Sequence, residues 1–225
     1  VASQSEPIDR RIRRHDLVFV GATGWRALIE SNHLTAEPLV ALWSERGWPL
    51  ITRRAVPGEA TGVALGLPLP PFAGKRRLSL LVPPNDIVAT APPLALRSVS
   101  HVAPRPWWRT LDRLDKLASR HRIEARVFGS LAWHALTGLN YLTEQSDLDI
   151  LIAFNGGTNL HRLAADIAKI DAAAPIRLDG ELVRDDGAAV NWREFHSGAR
   201  QILVKSASSI ALLDTNHFFL GKVPS

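Results

Sequence analysis

The sequence predicts an α+β fold in two domains, residues 1–103 and 104–225, the first a small α+β unit and the second a mixed sheet with helices packed on it. Three observations lead there. Apolar runs of strand length alternate with segments of helical periodicity in both halves. Prolines gathered in pairs or near-pairs between 83 and 106 interrupt that alternation and mark a junction. Residues 127–152 then combine a strand, a Gly-Ser turn, a helix and a second strand opened by two aspartates.

Taken in order, residues 1–14 are polar and basic and end in Arg10-Arg11-Ile12-Arg13-Arg14, which reads as a solvated lead-in. No aromatic is interleaved there to stack bases, which argues against a nucleic-acid partner. His15-Asp16 opens a strand over 17–20. Thr35 is a candidate cap for a helix over 36–46, with Pro38 in its first turn and Gly47 closing it. Trp48-Pro49-Leu50 leads into a strand over 51–54. Residues 57–75 are rich in Gly and Pro, and their Leu67-Pro68-Leu69-Pro70-Pro71 segment does not suit a central strand. Lys75-Arg76-Arg77 starts a further strand over 78–82.

In the second half, Pro106 begins a helix over 107–120 whose apolar Trp107, Leu111, Leu114 and Ala118 follow helical spacing. Arg120, His121 and Arg122 complement its negative C-terminal end. A strand over 125–128 and the Gly129-Ser130 turn follow. After the next helix and strand, Asn155-Gly156-Gly157 makes a turn. Thr158 is the expected cap of a helix carrying Leu160, Leu163, Ala164, Ile167 and Ile170. Strands over 176–184 and 188–195 flank Asp185-Asp186-Gly187, a hairpin signal. A helix-and-strand portion over 199–213 carries Val204-Lys205-Ser206.

The chemistry concentrates around Gly129. A glycine between strand and helix lets the backbone approach a phosphate, and the free N–H groups of a helix N-terminus favour an anion. Ser130 adds a hydroxyl at the expected N-cap. In Ser146-Asp147-Leu148-Asp149, alternation throws both carboxylates to one side, about 6.5 Å apart at Cα. Like charges that close repel, and a divalent cation is their natural counterion. Metal-assisted transfer of a nucleotidyl or phosphoryl group is the simplest chemistry that uses a phosphate cradle and a carboxylate pair together.

Gly-Ser, a helix and Asp-x-Asp in that order resemble the nucleotidyltransferase superfamily of DNA polymerase beta type. The spacing is long, with sixteen residues between Ser130 and Asp147. More narrowly, Phe128-Gly129-Ser130, Ala132-Trp133, Leu136-Thr137-Gly138-Leu139, Tyr141-Leu142 and Ser146-Asp147-Leu148-Asp149 resemble the phosphoribosyl-dephospho-CoA transferases, the holo-acyl-carrier-protein synthases of malonate decarboxylase. Trp48-Pro49-Leu50, residues 66–71, Lys75-Arg76-Arg77, Asp179-Gly180-Glu181 and Val204-Lys205-Ser206 extend the likeness over most of the chain.

The resemblance implies a nucleotidyltransferase-like second domain and a site holding two Mg²⁺ ions, with Mn²⁺ as an alternative, on Asp147 and Asp149. It implies a third carboxylate from a later strand. Asp179 and Glu181 share one face with Arg177 and Val183, so alternation does not separate the two candidates. Beside Gly129 and Ser130, it points to Lys75, Arg76, Arg77 and Lys205 as cations for a triphosphate. The implied donor is 2′-(5″-triphosphoribosyl)-3′-dephospho-CoA, and the implied acceptor is a serine of the apo acyl-carrier subunit of malonate decarboxylase. A donor that long is expected between the domains, since ligand sites favour such places. The rivals are transfer of AMP to another acceptor, and a non-catalytic partner protein of the same fold.

Composition bounds the rest. With 225 residues and 46% hydrophobic content there is enough for one or two cores. A formal charge of +5 suits a polyanionic ligand or an acidic protein. The absence of cysteine excludes disulfides, thiolate zinc sites and a cysteine nucleophile, and fits a cytoplasmic location. No apolar run approaches the roughly 20 residues of a membrane span, and the first residues carry no signal-peptide core. The chain contains no methionine, which leaves its natural start open. Neither a G-x-S-x-G elbow nor a Walker A sequence occurs. His134 and His161 lack metal-ligand spacing, and Trp133 reads first as a core residue.

Overall fold

The computed structural model describes residues 12–56, 58–206 and 209–219. Residues 1–11, which hold most of the basic lead-in, lie outside the described residues. Its last part is tied down: Asp16 Oδ2 accepts from the Arg13 N–H at 2.7 Å, and the Thr52 hydroxyl donates to Arg13 O at 2.6 Å. The chain divides into two compact units at Pro92/Pro93. That is earlier than the expected 103/104, because residues 94–103 contribute a strand and the buried Leu96, Val99 and Ala103 to the second unit's core.

The N-terminal unit is built from β1 (Leu17–Val20), α1 (Ala22–Ser31), α2 (Pro38–Arg46), β2 (Leu50–Thr52), β3 (Val63–Pro68), β4 (Arg77–Val82) and β5 (Ile87–Ala91). Its strands lie in the order β4-β3-β2-β1-β5, with every pairing antiparallel. Thr35 does not cap α2. It sits in a 3-10 turn, Glu37 precedes the helix, and Pro38 takes the first position, where its missing N–H costs nothing. β3 is an interior strand, contrary to the sequence expectation for this region. Its ladder runs from Val63 to Pro68, so only the last position is proline, and Pro70 and Pro71 fall in the turn beyond.

The C-terminal unit carries the candidate chemistry. Its elements are β6 (Leu94–Ala95), α3 (Leu96–Val99), α4 (Trp108–His121), β7 (Glu124–Val127), α5 (Gly129–Thr137), β8 (Leu148–Ala153), α6 (Leu160–Ala172), β9 (Leu178–Val183), β10 (Ala189–Asn191), α7 (Trp192–His196), β11 (Gln201–Lys205), β12 (Ile210–Asp214) and α8 (Thr215–Phe219). The sheet order is β12-β11-β10-β9-β8-β7-β6. Among the described residues of this sheet only β8 and β9 pair in parallel, and α6 supplies the crossover that parallel neighbours require. The sheet is therefore mixed, as expected.

Burial decides which face carries chemistry. Leu148, Ile150 and Ile152 of β8 are at most 1% exposed and pack in one core with Leu111, Leu114 and Leu117 of α4 and Leu163, Ala164 and Ile167 of α6. Burying each such leucine or isoleucine contributes about 1.5–3 kcal/mol. Alternation then turns Asp149 to the opposite face.

Three local expectations are corrected. Asn159, not Thr158, caps α6, its side-chain oxygen accepting from the Arg162 N–H at 3.0 Å. The strand expected over 188–195 stops at Asn191 and turns into α7, which buries Trp192 and Phe195. Among the described residues of 199–213 there is no helix, since β11 and β12 form a hairpin and α8 follows.

Candidate active site

β7 ends at Val127, and the Phe128 N–H donates to Asp149 O at 3.1 Å, so the chain leaves the sheet beside that aspartate. Gly129 adopts φ +65°, and a Cβ there would fall 1.8 Å from Asp149 Oδ2. Only glycine fits both the left-handed conformation and this approach. α5 begins at Gly129, so Ser130 lies inside the first turn and Phe128 takes the cap position, without a side-chain cap bond. The Ser130 backbone N–H donates to the Asp149 carboxylate. The anion at this helix N-terminus is therefore the chain's own aspartate.

The carboxylates come from two adjacent parallel strands. Asp149 is in register with Asp179, and Leu151 with Glu181. Asp147 stands just before β8, where the Leu148 N–H donates to Arg177 O at 3.0 Å. Burial, then the charges of Asp179 and Asp147, push the Asp149 carboxyl up to about 7, against the Ser130 N–H, which lowers it. Three other acidic side chains thus act on Asp149, with Glu181 the weakest contributor.

Cations and amides hold this cluster in place. Arg177 Nη1 stands 3.6 Å from Asp147 Oδ2 at the rim, with the Arg177 side chain 62% exposed. Asn191 Nδ2 donates to Asp179 Oδ1 at 3.0 Å. Deeper in the sheet, Glu181 is buried, and Lys205 Nζ lies 3.4 Å from its Oε1. Below them Arg193 grips Asp171 through two bonds of 2.6 Å and also donates to Leu178 O, while Asp171 Oδ1 accepts from the Leu178 N–H. This clamp fixes the strand one residue before Asp179.

Among the described residues no three acidic or histidine side chains already form a metal cage. The donor set nonetheless fits Mg²⁺. It consists of hard carboxylate oxygens whose mutual repulsion a divalent cation relieves, and Mg²⁺ binds through one or two carboxylates plus substrate phosphates rather than in closed protein cages. Asp147, Asp149 and Asp179 are the residues that would hold it.

Gly129, Ser130, Asp147, Asp149, Asp179, Glu181 and Lys205 therefore meet on one sheet, Lys205 through its pairing with Glu181. Lys75, Arg76 and Arg77 belong to the N-terminal unit. They are exposed at the start of β4, where Lys75 has φ +51° and Arg76 reaches Glu37 at 3.1 Å. Trp133 is buried against Tyr141, as a core role requires, and His134 Nδ1 bonds Leu139 O at 2.9 Å. The His161 ring lies against Phe195, tilted by 35° with the centroids 5.1 Å apart.

Sequence reasoning assigned no role to Asn191, Arg193 or Asp171, and placed Arg177 on the right face without giving it a task. Counting back across the Asp185-Asp186-Gly187 hairpin would have paired Asn191 with Glu181. Ending that strand at an asparagine before Trp192 would have marked it as a cap.

Comparison with known proteins adds three results. A family model described as the phosphoribosyl-dephospho-CoA transferase MdcG C-terminal domain matches residues 95–216, and its N-terminal counterpart matches residues 13–93. A protein of Bradyrhizobium diazoefficiens named phosphoribosyl-dephospho-CoA transferase is 55% identical over 218 residues, 96% of both chains. A protein of the same name from Xanthomonas campestris pv. campestris is 38% identical over 209 residues, 92% of this chain and 96% of its own. No solved structure matches.

Proposed function

The chain belongs to the phosphoribosyl-dephospho-CoA transferase family, and from that premise we propose that it is the enzyme that moves the phosphoribosyl-dephospho-CoA group onto an acyl-carrier protein. The donor is 2′-(5″-triphosphoribosyl)-3′-dephospho-CoA and the acceptor a serine of the apo acyl-carrier subunit of malonate decarboxylase. The observation that carries the chemistry is the register of Asp149 against Asp179, with Asp147 alongside and the Gly129-Ser130 turn closed over the Asp149 carboxylate.

The acceptor serine Oγ attacks the α-phosphorus of the donor, a P–O bond forms, and the bond to the departing pyrophosphate breaks in line. Mg²⁺ held by Asp147 and Asp149 would screen the triphosphate and make the serine proton easier to remove. Asp179, in register with Asp149, would serve as the third ligand or take that proton. Arg177, exposed at the rim, supplies positive charge toward the leaving pyrophosphate. Glu181 is too buried and too close to Lys205 to serve as a first acceptor.

The cytoplasm is the expected setting. The chain has no cysteine, and among the described residues no helix is long and apolar enough to cross a membrane.

Intact mass of the apo carrier subunit after incubation with the protein, Mg²⁺ and the triphosphoribosyl donor tests the reading. A gain of one phosphoribosyl-dephospho-CoA unit, absent with Asp147→Ala and Asp149→Ala, is the expected result. No gain with that donor, but an adenylyl-sized gain with ATP, would overturn the donor while keeping the carboxylates.

A further inference from the structure

Asn191 stands where β10 becomes α7, with extended backbone at φ −64° and ψ 128°. Its side-chain oxygen accepts from the Arg193 N–H at 2.9 Å. A backbone N–H can only donate, so the amide oxygen must face the helix and the NH₂ must face away from it. The NH₂ then meets Asp179 Oδ1 at 3.0 Å. The helix cap thus dictates the orientation of the group that touches the carboxylate.

Arg193 and Asp171 hold the strand as Asn191 holds the side chain. Arg193, whose N–H Asn191 secures, donates to Leu178 O and forms the two-bond contact with Asp171, which in turn accepts from the Leu178 N–H. The peptide preceding Asp179 and one oxygen of its carboxylate are therefore fixed from one short segment. Glu181, the other candidate, is held elsewhere, with Lys205 beside its Oε1.

Resting on the function proposed above, we infer that Asn191 is the positioning residue of the site: it orients Asp179, and thereby makes Asp179 rather than Glu181 the third carboxylate. Donors that orient a ligating carboxylate typically account for about 10–100-fold in metal affinity or activity.

Three variants separate this role from simple helix capping. Asn191→Ser keeps a capping oxygen but has no amide to reach Asp179, Asn191→Ala loses both, and Asn191→Asp keeps the cap while turning an oxygen toward Asp179. Mn²⁺ binding, followed by loss of the free-ion electron paramagnetic resonance signal, needs no donor and no acceptor. The expected result for Asn191→Ser is a wild-type thermal midpoint, Mn²⁺ affinity and kcat each lowered roughly 10–100-fold, and an unchanged KM for the donor. Asn191→Asp is expected to lose more than Asn191→Ser.

Wild-type Mn²⁺ affinity and kcat in Asn191→Ser, with only Asn191→Ala impaired, would overturn the inference and leave a cap alone. Absence of Mn²⁺ binding by the wild-type protein would overturn it too. Mn²⁺ binding that weakens in Asn191→Ser, in a protein that transfers nothing from the triphosphoribosyl donor, would sink the proposed reaction and leave Asn191 in its role.

Discussion

Gly129 and Asp149 are packed so closely that a Cβ on residue 129 would lie 1.8 Å from Asp149 Oδ2 and 2.5 Å from its Cγ. The obstacle is twofold, because residue 129 also has φ +65°. An L-residue in that conformation costs about 1–2 kcal/mol before any clash. Gly129→Ala must therefore move either the turn or the carboxylate. We expect a thermal midpoint lower by several degrees and a loss of transfer of roughly 100-fold or more, since misplacement by about 1 Å is enough for that. Midpoint and turnover measured on one preparation check it, and wild-type values for both would refute the packing.

The Asp149 carboxyl carries a stability consequence whose sign can be worked out. Burial first, then Asp179 and Asp147, raise it from the usual carboxylate value to about 7 in the folded protein. The folded state therefore holds the proton more tightly than the unfolded state. Stability from this group is present below about pH 4 and is lost as pH rises toward and through 7. Asn has no charge to desolvate, so Asp149→Asn should be more stable than the wild-type protein at pH 8 without divalent metal, while losing transfer. At pH 4 the two should be close. Thermal midpoints in chelator at both values check it, and a less stable Asp149→Asn at pH 8 would contradict the repulsion.

Much of this was readable in the sequence because it rests on local rules. Strand alternation is local, and it put Asp147 and Asp149 on one face. A glycine followed by helical periodicity is local too, and it marked the turn at Gly129. What escaped depends on partners far along the chain. Ser130 was expected to cap α5 with its hydroxyl, but its N–H is taken by a carboxylate nineteen positions on, and no sequence window shows that. Asp179 and Glu181 share one strand face, and only the register with β8 and the positions of Asn191 and Lys205 tell them apart. The strand β3 was missed for another reason. Prolines beside it suggested a loop, yet its six residues end where they begin.

Arg193 and Asp171 offer a test of the scaffold apart from the chemistry. Burial raises the Asp171 carboxyl, but the Arg193 bonds and the Leu178 N–H outweigh it and hold it below its ordinary value. A depressed carboxylate contributes stability above its unfolded value, and that contribution is lost as pH falls through the folded one. Arg193→Met should lower stability at pH 7 by roughly 1.5–3 kcal/mol, the range for bonds to charged groups. The difference from wild type should shrink as both proteins are taken into acid below pH 4. Urea titrations at pH 7 and pH 3 check it, and a difference that stays constant would show that the clamp contributes by packing alone.

Lys205 is assigned two tasks, and they can be separated. The sequence resemblance makes it a phosphate cation, whereas the structure places its Nζ 3.4 Å from Glu181 Oε1, with Glu181 6% exposed. Removing one partner of a buried pair typically costs about 3–5 kcal/mol, because the other charge stays behind. The Lys205 side chain is 30% exposed, so the lower part of that range or less is expected for Lys205→Met. Adding Glu181→Gln removes the stranded charge and should restore most of the lost stability. A lysine that also meets the donor phosphates leaves a second mark, since KM for the donor rises in Lys205→Met and stays high in the double variant. Recovery of stability and of KM together would reduce Lys205 to the partner of Glu181, and the cations facing the phosphates would then have to be sought at Arg177 and in the N-terminal unit.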